Sequence, residues 1–106
     1  MVEMEKLVLT IISNSGSARS FAMEAIQYAK KGEFSRSKQC IEDAEEKLAA
    51  AHKEQTKLIQ AEAQGAKTNI SLLLIHAQDH LMTAMTMKEL ALEIVDLHKK
   101  ISEKAN

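Results

Sequence analysis

The residues best suited to chemistry lie together in LLLIHAQDHLMT, residues 72–83, which contains His76, Asp79 and His80. Two histidines four apart share a helix face and can bind Zn²⁺. A zincin motif places Glu directly after the first histidine, whereas Ala77 stands there. A third ligand would have to come from His52, Asp79 or another subunit. The competing chemistry is nucleophilic. An imidazole is unprotonated over much of the cellular pH range and can take up a phosphoryl group on one ring nitrogen. The other nitrogen then needs an acceptor to hold tautomer and orientation. Neighbouring polar groups, such as Gln78, His80 or Thr83, could donate to phosphoryl oxygens. A lone helical histidine is commonly structural; two histidines and an aspartate within five residues weaken that reading without removing it.

Other candidates are weaker. Cys40, in SKQCIED, falls mid-helix beside an inner-face residue, with nothing nearby to activate a thiol. His52, in AAAHKEQT, reads as a structural hydrogen-bonding residue, and His98 as a solvated tail residue. The three glycines are isolated, so no loop cradles a phosphate. A net charge of −1 with 3% aromatic residues offers nucleic acid neither a basic patch nor stacking platforms. A single cysteine excludes an internal disulfide and suits a reducing cytosol. The start, MVEMEKLVLTII, lacks the basic flank of a secretory signal, and no apolar run approaches the ~18 residues of a membrane span. A cytoplasmic protein without membrane insertion is expected.

The elements that must hold these residues are helical. Proline is absent from the 106 residues, and Ala, Leu, Glu, Lys, Gln and Met dominate. A helical period runs from Val2 to Lys31 through Met4, Leu7, Val8, Ile11, Ile12, Phe21, Ala22, Ala25, Ile26 and Ala29. SNSGS (13–17) is its weak point and predicts a kink or short break. Gly32 stops it. A second period spans Phe34 to Gln64, with Ile41, Ala44, Leu48, Ala51, Gln55 and Leu58 inward and EDAEEK (42–47) outward. Gly65 closes it. GAKT then makes a short turn, with Thr68 or Asn69 as N-cap of a third helix running from Ile70 to near the C-terminus. One all-α domain, 1–106, folded as an antiparallel three-helix bundle, is the expected architecture.

The third helix is apolar on two sides. At ~100° per residue, Ile70, Leu73, Ala77, Leu81, Ala84, Ala91 and Val95 gather on one face for the bundle core. Leu72, Ile75, Met82, Leu90 and Leu97 gather nearly opposite, where a monomer leaves them in water. Such a stripe marks a partner surface and predicts self-association through this helix. Asp79 falls within it, in the 3-4 spacing of Leu72, Ile75, Asp79, Met82 and Thr86. Either Asp79 simply faces solvent, or a three-fold assembly brings three carboxylates to one axis. In the second case their repulsion calls for a hard divalent cation such as Mg²⁺. His76 lies beside this seam, at the rim and half-buried, with His80, Thr83 and Met87 as wheel neighbours.

SLLLIHAQDHLMTAM (71–85) resembles the signature of the lactose/cellobiose-type IIA components of the bacterial sugar phosphotransferase system (PTS). IISNSGSARSFAMEAIQYAKKGEFSRS (11–37) is similar to that family's I-x-x-SG-x-ARS opening, and EEKLAAAHKEQTKLIQAEA (45–63) to its A-H-x-x-QT-x-L segment. The resemblance implies a trimeric three-helix bundle and a phosphocarrier. It implies a tele-phosphohistidine at His76 and one Mg²⁺ per trimer held by Asp79 from each subunit. Gln78 and His80 become neighbours of the phosphoryl group. The implied donor is phospho-HPr and the implied acceptor a cysteine of the IIB component, serving uptake of a β-linked disaccharide of the cellobiose, chitobiose or lactose kind. A non-catalytic helical trimer, structural or regulatory, is the alternative.

Overall fold

The computed structural model describes residues 2–105. Among them are three helices: α1 (Val2–Lys30), α2 (Phe34–Ala63) and α3 (Leu72–Ala105). They lie antiparallel in a bundle measuring 59 × 21 × 19 Å, as the hydrophobic periods predict.

The bundle is built on α1. Val8, Ile11, Ser15, Ala18, Ala22, Ala25 and Ala29 recur every three or four residues and are all buried. This stripe packs against both other helices, more extensively than α2 and α3 pack on each other. Small side chains permit that close approach. The stripe meets Ala44, Leu48, Ala51 and Leu58 of α2 and Ala77, Leu81 and Ala84 of α3. A second cluster joins Ala22 and Ala25 to Cys40, Ile41 and Ala91. Ser37 ties α2 to α1 through a buried hydrogen bond from Oγ to the Ala25 carbonyl, 2.7 Å. Ser15 Oγ is buried without a hydrogen-bond partner.

Both connections begin alike. Gly32 and Gly65 adopt left-handed φ of 79° and 97°. The Glu33 N–H donates to the Tyr28 carbonyl and the Ala66 N–H to the Ala61 carbonyl, at 2.9 and 3.0 Å. These bonds close Schellman turns that satisfy the last carbonyls of α1 and α2.

Three expectations need correction. SNSGS does not break α1, which is helical throughout 2–30. Gly16 costs a helix about 0.5–1 kcal/mol relative to Ala, too little to interrupt a segment anchored by Ile11 and Ser15 on one side and Ala18 and Ala22 on the other. The α2–α3 connection is longer than GAKT, covering 64–71. Its N-cap is Ser71, whose Oγ accepts the Leu74 N–H at 3.1 Å, in place of Thr68 or Asn69. With α3 starting at Leu72, Ile70 lies outside the helix and is 80% exposed, and Leu73 is also exposed. Neither belongs to the core, whereas Ala77, Leu81, Ala84 and Ala91 do.

The two glycines give opposite expectations. Beyond its chain neighbours and its own helix backbone, no atom lies within 4 Å of where a Cβ on Gly16 would sit, and its backbone is helical, so Gly16→Ala should stabilise by about 0.5–1 kcal/mol. At Gly32 the left-handed φ makes alanine costly, and Gly32→Ala should destabilise by about 1 kcal/mol. Thermal unfolding of the two variants should move in opposite directions.

Candidate phosphoryl-carrier site

His76 sits in the second turn of α3, one turn after the Ser71 cap. Its side chain is exposed rather than half-buried, while His80 one turn on is half-buried. The two rings meet edge to face, with centroids 5.0 Å apart and planes at 83°. His80 in turn faces α1 across a groove lined by Ile12, Ser13, Gly16, Ser17, Ser20, Phe21 and Glu24. The polar segment expected to interrupt α1 is therefore the surface opposite His80. Only the pairing of two helices reveals this, because nothing in SNSGS itself marks it as facing a histidine.

Asp79 is exposed. It lies on the outer stripe between Ile75 and Met82, and Leu72, Ile75, Met82, Leu90 and Leu97 are each more than half exposed. The second apolar face predicted for α3 is thus present and uncovered. On the α1 side it runs into an apolar groove of about 640 Å³ that includes Met23, Ile26, Met82, Met87 and Leu90. Among the described residues, no three His, Cys, Asp or Glu of this chain gather where they could hold a metal ion. Among the described residues His76 and His80 thus lack a third ligand from their own chain.

Gln78 leaves α3 on the other flank. It lies two positions after His76, so the two side chains diverge by about 200° around the helix. Gln78 is half-buried against α2, where Gln55 Nε2–H donates to its Oε1 at 2.6 Å. His76 and Gln78 thus border the outer stripe on opposite sides. Thr83, on the His76 side, is exposed.

The remaining candidates separate from this site. Cys40 is buried, and burial together with the Glu24 and Asp43 carboxylates pushes its thiol up. That environment suits an inert thiol. His52, expected to be a structural hydrogen-bonding residue, is exposed. It borders an α2–α3 cleft with Glu45, Met85, Lys88 and Glu89, where Lys88 Nζ and Glu45 lie 3.7 Å apart. His98 is half-buried rather than fully solvated, because its turn of α3 still packs on the bundle.

Among the described residues no helix is long and apolar enough to cross a membrane. The chain matches the family model described as "PTS system, Lactose/Cellobiose specific IIA subunit" over residues 6–99. It is 52% identical to the lichenan-specific phosphotransferase enzyme IIA component of Bacillus subtilis, over 95% of this chain and 92% of that protein. The crystal structure of the PTS cellobiose-specific enzyme IIA from Bacillus anthracis superposes with a TM-score of 0.95 at 54% identity, covering 98% and 95% of the two chains. The IIA chain in the solution structure of the Escherichia coli IIA(chitobiose)–HPr complex superposes with a TM-score of 0.81 at 44% identity, covering 92% and 95%. A bundle with this α3 pattern, matched along almost its whole length in sequence and in shape, belongs to the lactose/cellobiose-specific IIA family of the sugar phosphotransferase system and is a phosphotransferase component.

Proposed function

We propose that this IIA component carries its phosphoryl group on His76, taking it from phospho-HPr and passing it to a cysteine of a IIB component in the cytoplasm. The observation that carries this reading is the placement of His76. It is an exposed imidazole on a rigid helix, steadied edge-on by His80, at the border of an uncovered apolar face. A partner must reach the imidazole from solvent, and that border gives both access and an apolar surface to dock on. Met23, Met82 and Met87 beside it suit a surface that receives two different partners. The complex of a similar IIA chain with HPr supports the donor.

In the first transfer, Nε2 of neutral His76 attacks the phosphorus of phospho-HPr. The N–P bond on HPr breaks as the new one forms, and HPr recovers its imidazole. In the second, a IIB thiolate attacks the same phosphorus, and His76 leaves as the free base. Each step needs in-line approach and stabilisation of phosphoryl charge rather than a strong acid or base. The likeness to the cellobiose- and lichenan-named proteins supports a β-linked disaccharide as the final acceptor.

The outer face of α3 is read as a three-fold seam. Full burial of each of its large side chains is worth about 1.5–3 kcal/mol, and no other helix of the chain covers them. In a closed ring of three, one flank of each subunit meets the opposite flank of the next. The His76 flank then meets the neighbour's Gln78 flank, and the Asp79 carboxylates converge on the axis. Asp79 has no ion-pair partner among the described residues, and oxygen ligands from three chains suit a hard divalent ion such as Mg²⁺. Bound there, the ion would neutralise the three carboxylates; the Asp79 oxygens alone of this chain's residues would hold it.

Incubation with enzyme I, HPr and labelled phosphoenolpyruvate should give acid-labile label that is lost in His76→Gln and kept in His98→Gln. A wild-type chain that takes no label sinks the phosphocarrier reading and leaves the non-catalytic trimer.

For the seam, sedimentation of Asp79→Leu should show a trimer at least as stable as wild type and indifferent to chelator, since buried charge is exchanged for apolar packing. A monomeric Asp79→Leu overturns the axial placement.

A further inference from the structure

We propose that Gln55 is a positioning residue for phosphoryl transfer: it fixes the side-chain amide of Gln78 so that donors, not the carbonyl, face the phosphoryl group. This rests on the trimeric reading above, in which the Gln78 flank of one subunit meets the His76 flank of the next, so that the phosphoryl group Gln78 faces is the neighbouring subunit's.

A primary amide has two faces of opposite character. Its oxygen only accepts hydrogen bonds and its nitrogen only donates them. A phosphoryl group on histidine is anionic and accepts, so Gln78 helps only with its NH₂ turned outward. Unconstrained, the amide turns freely and presents either end. Here Gln55 Nε2–H donates to Gln78 Oε1 at 2.6 Å, in a half-buried bond between α2 and α3. The carbonyl of Gln78 is thereby occupied on the α2 side, and both of its N–H donors remain for the other side. The bonds then run one way, from Gln55 N–H to the Gln78 carbonyl and from the Gln78 N–H to the phosphoryl oxygen. Each donation in such a chain strengthens the next. Gln55 lies between buried Ala51 and Leu58 on the inner stripe of α2, so its backbone is held by the core and the orientation is set before any partner arrives.

The alternative role for this bond is purely structural, pinning α3 to α2. Substitution by glutamate separates the two roles. A carboxylate at position 55 only accepts, so it keeps an α2–α3 hydrogen bond by drawing the Gln78 NH₂ inward, which turns the Gln78 carbonyl outward. The experiment follows single-turnover transfer from labelled phospho-HPr to His76, with thermal unfolding of each variant. Gln78→Leu should slow transfer about tenfold or more, as expected for one hydrogen bond to a charged group. Gln55→Met should slow it severalfold. Gln55→Glu should slow it as much as Gln78→Leu while melting no lower than Gln55→Met, because the carboxylate keeps an α2–α3 hydrogen bond that Met loses. The double variant Gln55→Glu/Gln78→Leu should be no slower than Gln78→Leu alone, because Gln55 acts only through Gln78.

Wild-type transfer in both Gln55→Glu and Gln55→Met, with Gln78→Leu still slow, overturns the positioning role and leaves the Gln78 reading intact. A double variant slower than Gln78→Leu also overturns it, since the introduced carboxylate would then be acting by direct repulsion. Wild-type transfer in Gln78→Leu itself removes the Gln78 assignment on which the proposal stands.

Discussion

One helix has to satisfy two apolar surfaces at once. The inner stripe of α3, Ala77, Leu81, Ala84 and Ala91, is consumed by the bundle. The outer stripe, from Leu72 to Leu97, is left uncovered by α1 and α2. On a helix, two apolar stripes facing opposite ways leave two narrow polar borders between them. His76 lies on the α1-side border and Gln78 on the α2-side border. A group placed there is fixed by packing from one side and open to approach from the other. An open helix face can in this way hold the side chain proposed to react in a defined geometry.

The same demand shapes the interior. Most of the core is alanine, and among the described residues Ile11 and Leu81 are the only large apolar side chains fully enclosed. Small residues let α1 approach both neighbours closely, but they bury little area per residue. Much of the large apolar surface of the chain, including Ile75, Met82, Leu90, Leu97 and Ile101, is instead carried on the outside of α3. A chain that invests its bulky residues outside its own core has a surface suited to assembly and docking, in keeping with a family that hands its cargo from one protein to another.

Much of this was legible from residue order. The three helices, the glycine stops at Gly32 and Gly65 and the double-faced α3 follow from a 3.6-residue period and the absence of proline. Errors arose where local chemistry and packing disagreed. SNSGS reads as a break because serine and glycine weaken an isolated helix, yet Ser15 and Gly16 sit on a segment clamped by its neighbours. The start of α3 is ambiguous from sequence because Thr68, Asn69 and Ser71 are all competent caps, and only the Leu74 N–H bond to Ser71 Oγ selects Ser71. His76 was placed on the correct border, but the groove facing His80 and the Gln55–Gln78 bond join residues far apart in sequence. No period within one helix encodes a contact between two.

The position of the Ser71 cap has an electrostatic consequence. It sets His76 as the fifth residue of α3, and side chains on a helix lean toward its N-terminus. The imidazole therefore extends back over the first turn, where the unpaired N–H groups of Leu72 and Leu73 concentrate the positive end of the helix macrodipole. An imidazole gains little from that field, but a phosphorylated one carries negative charge and gains about 0.3–1 kcal/mol at an exposed site. With the phosphoryl group on His76 as proposed, the backbone would favour the loaded histidine over the empty one by a small margin. A carrier that must both take up its cargo and give it away is better served by a weak bias than by a strong one.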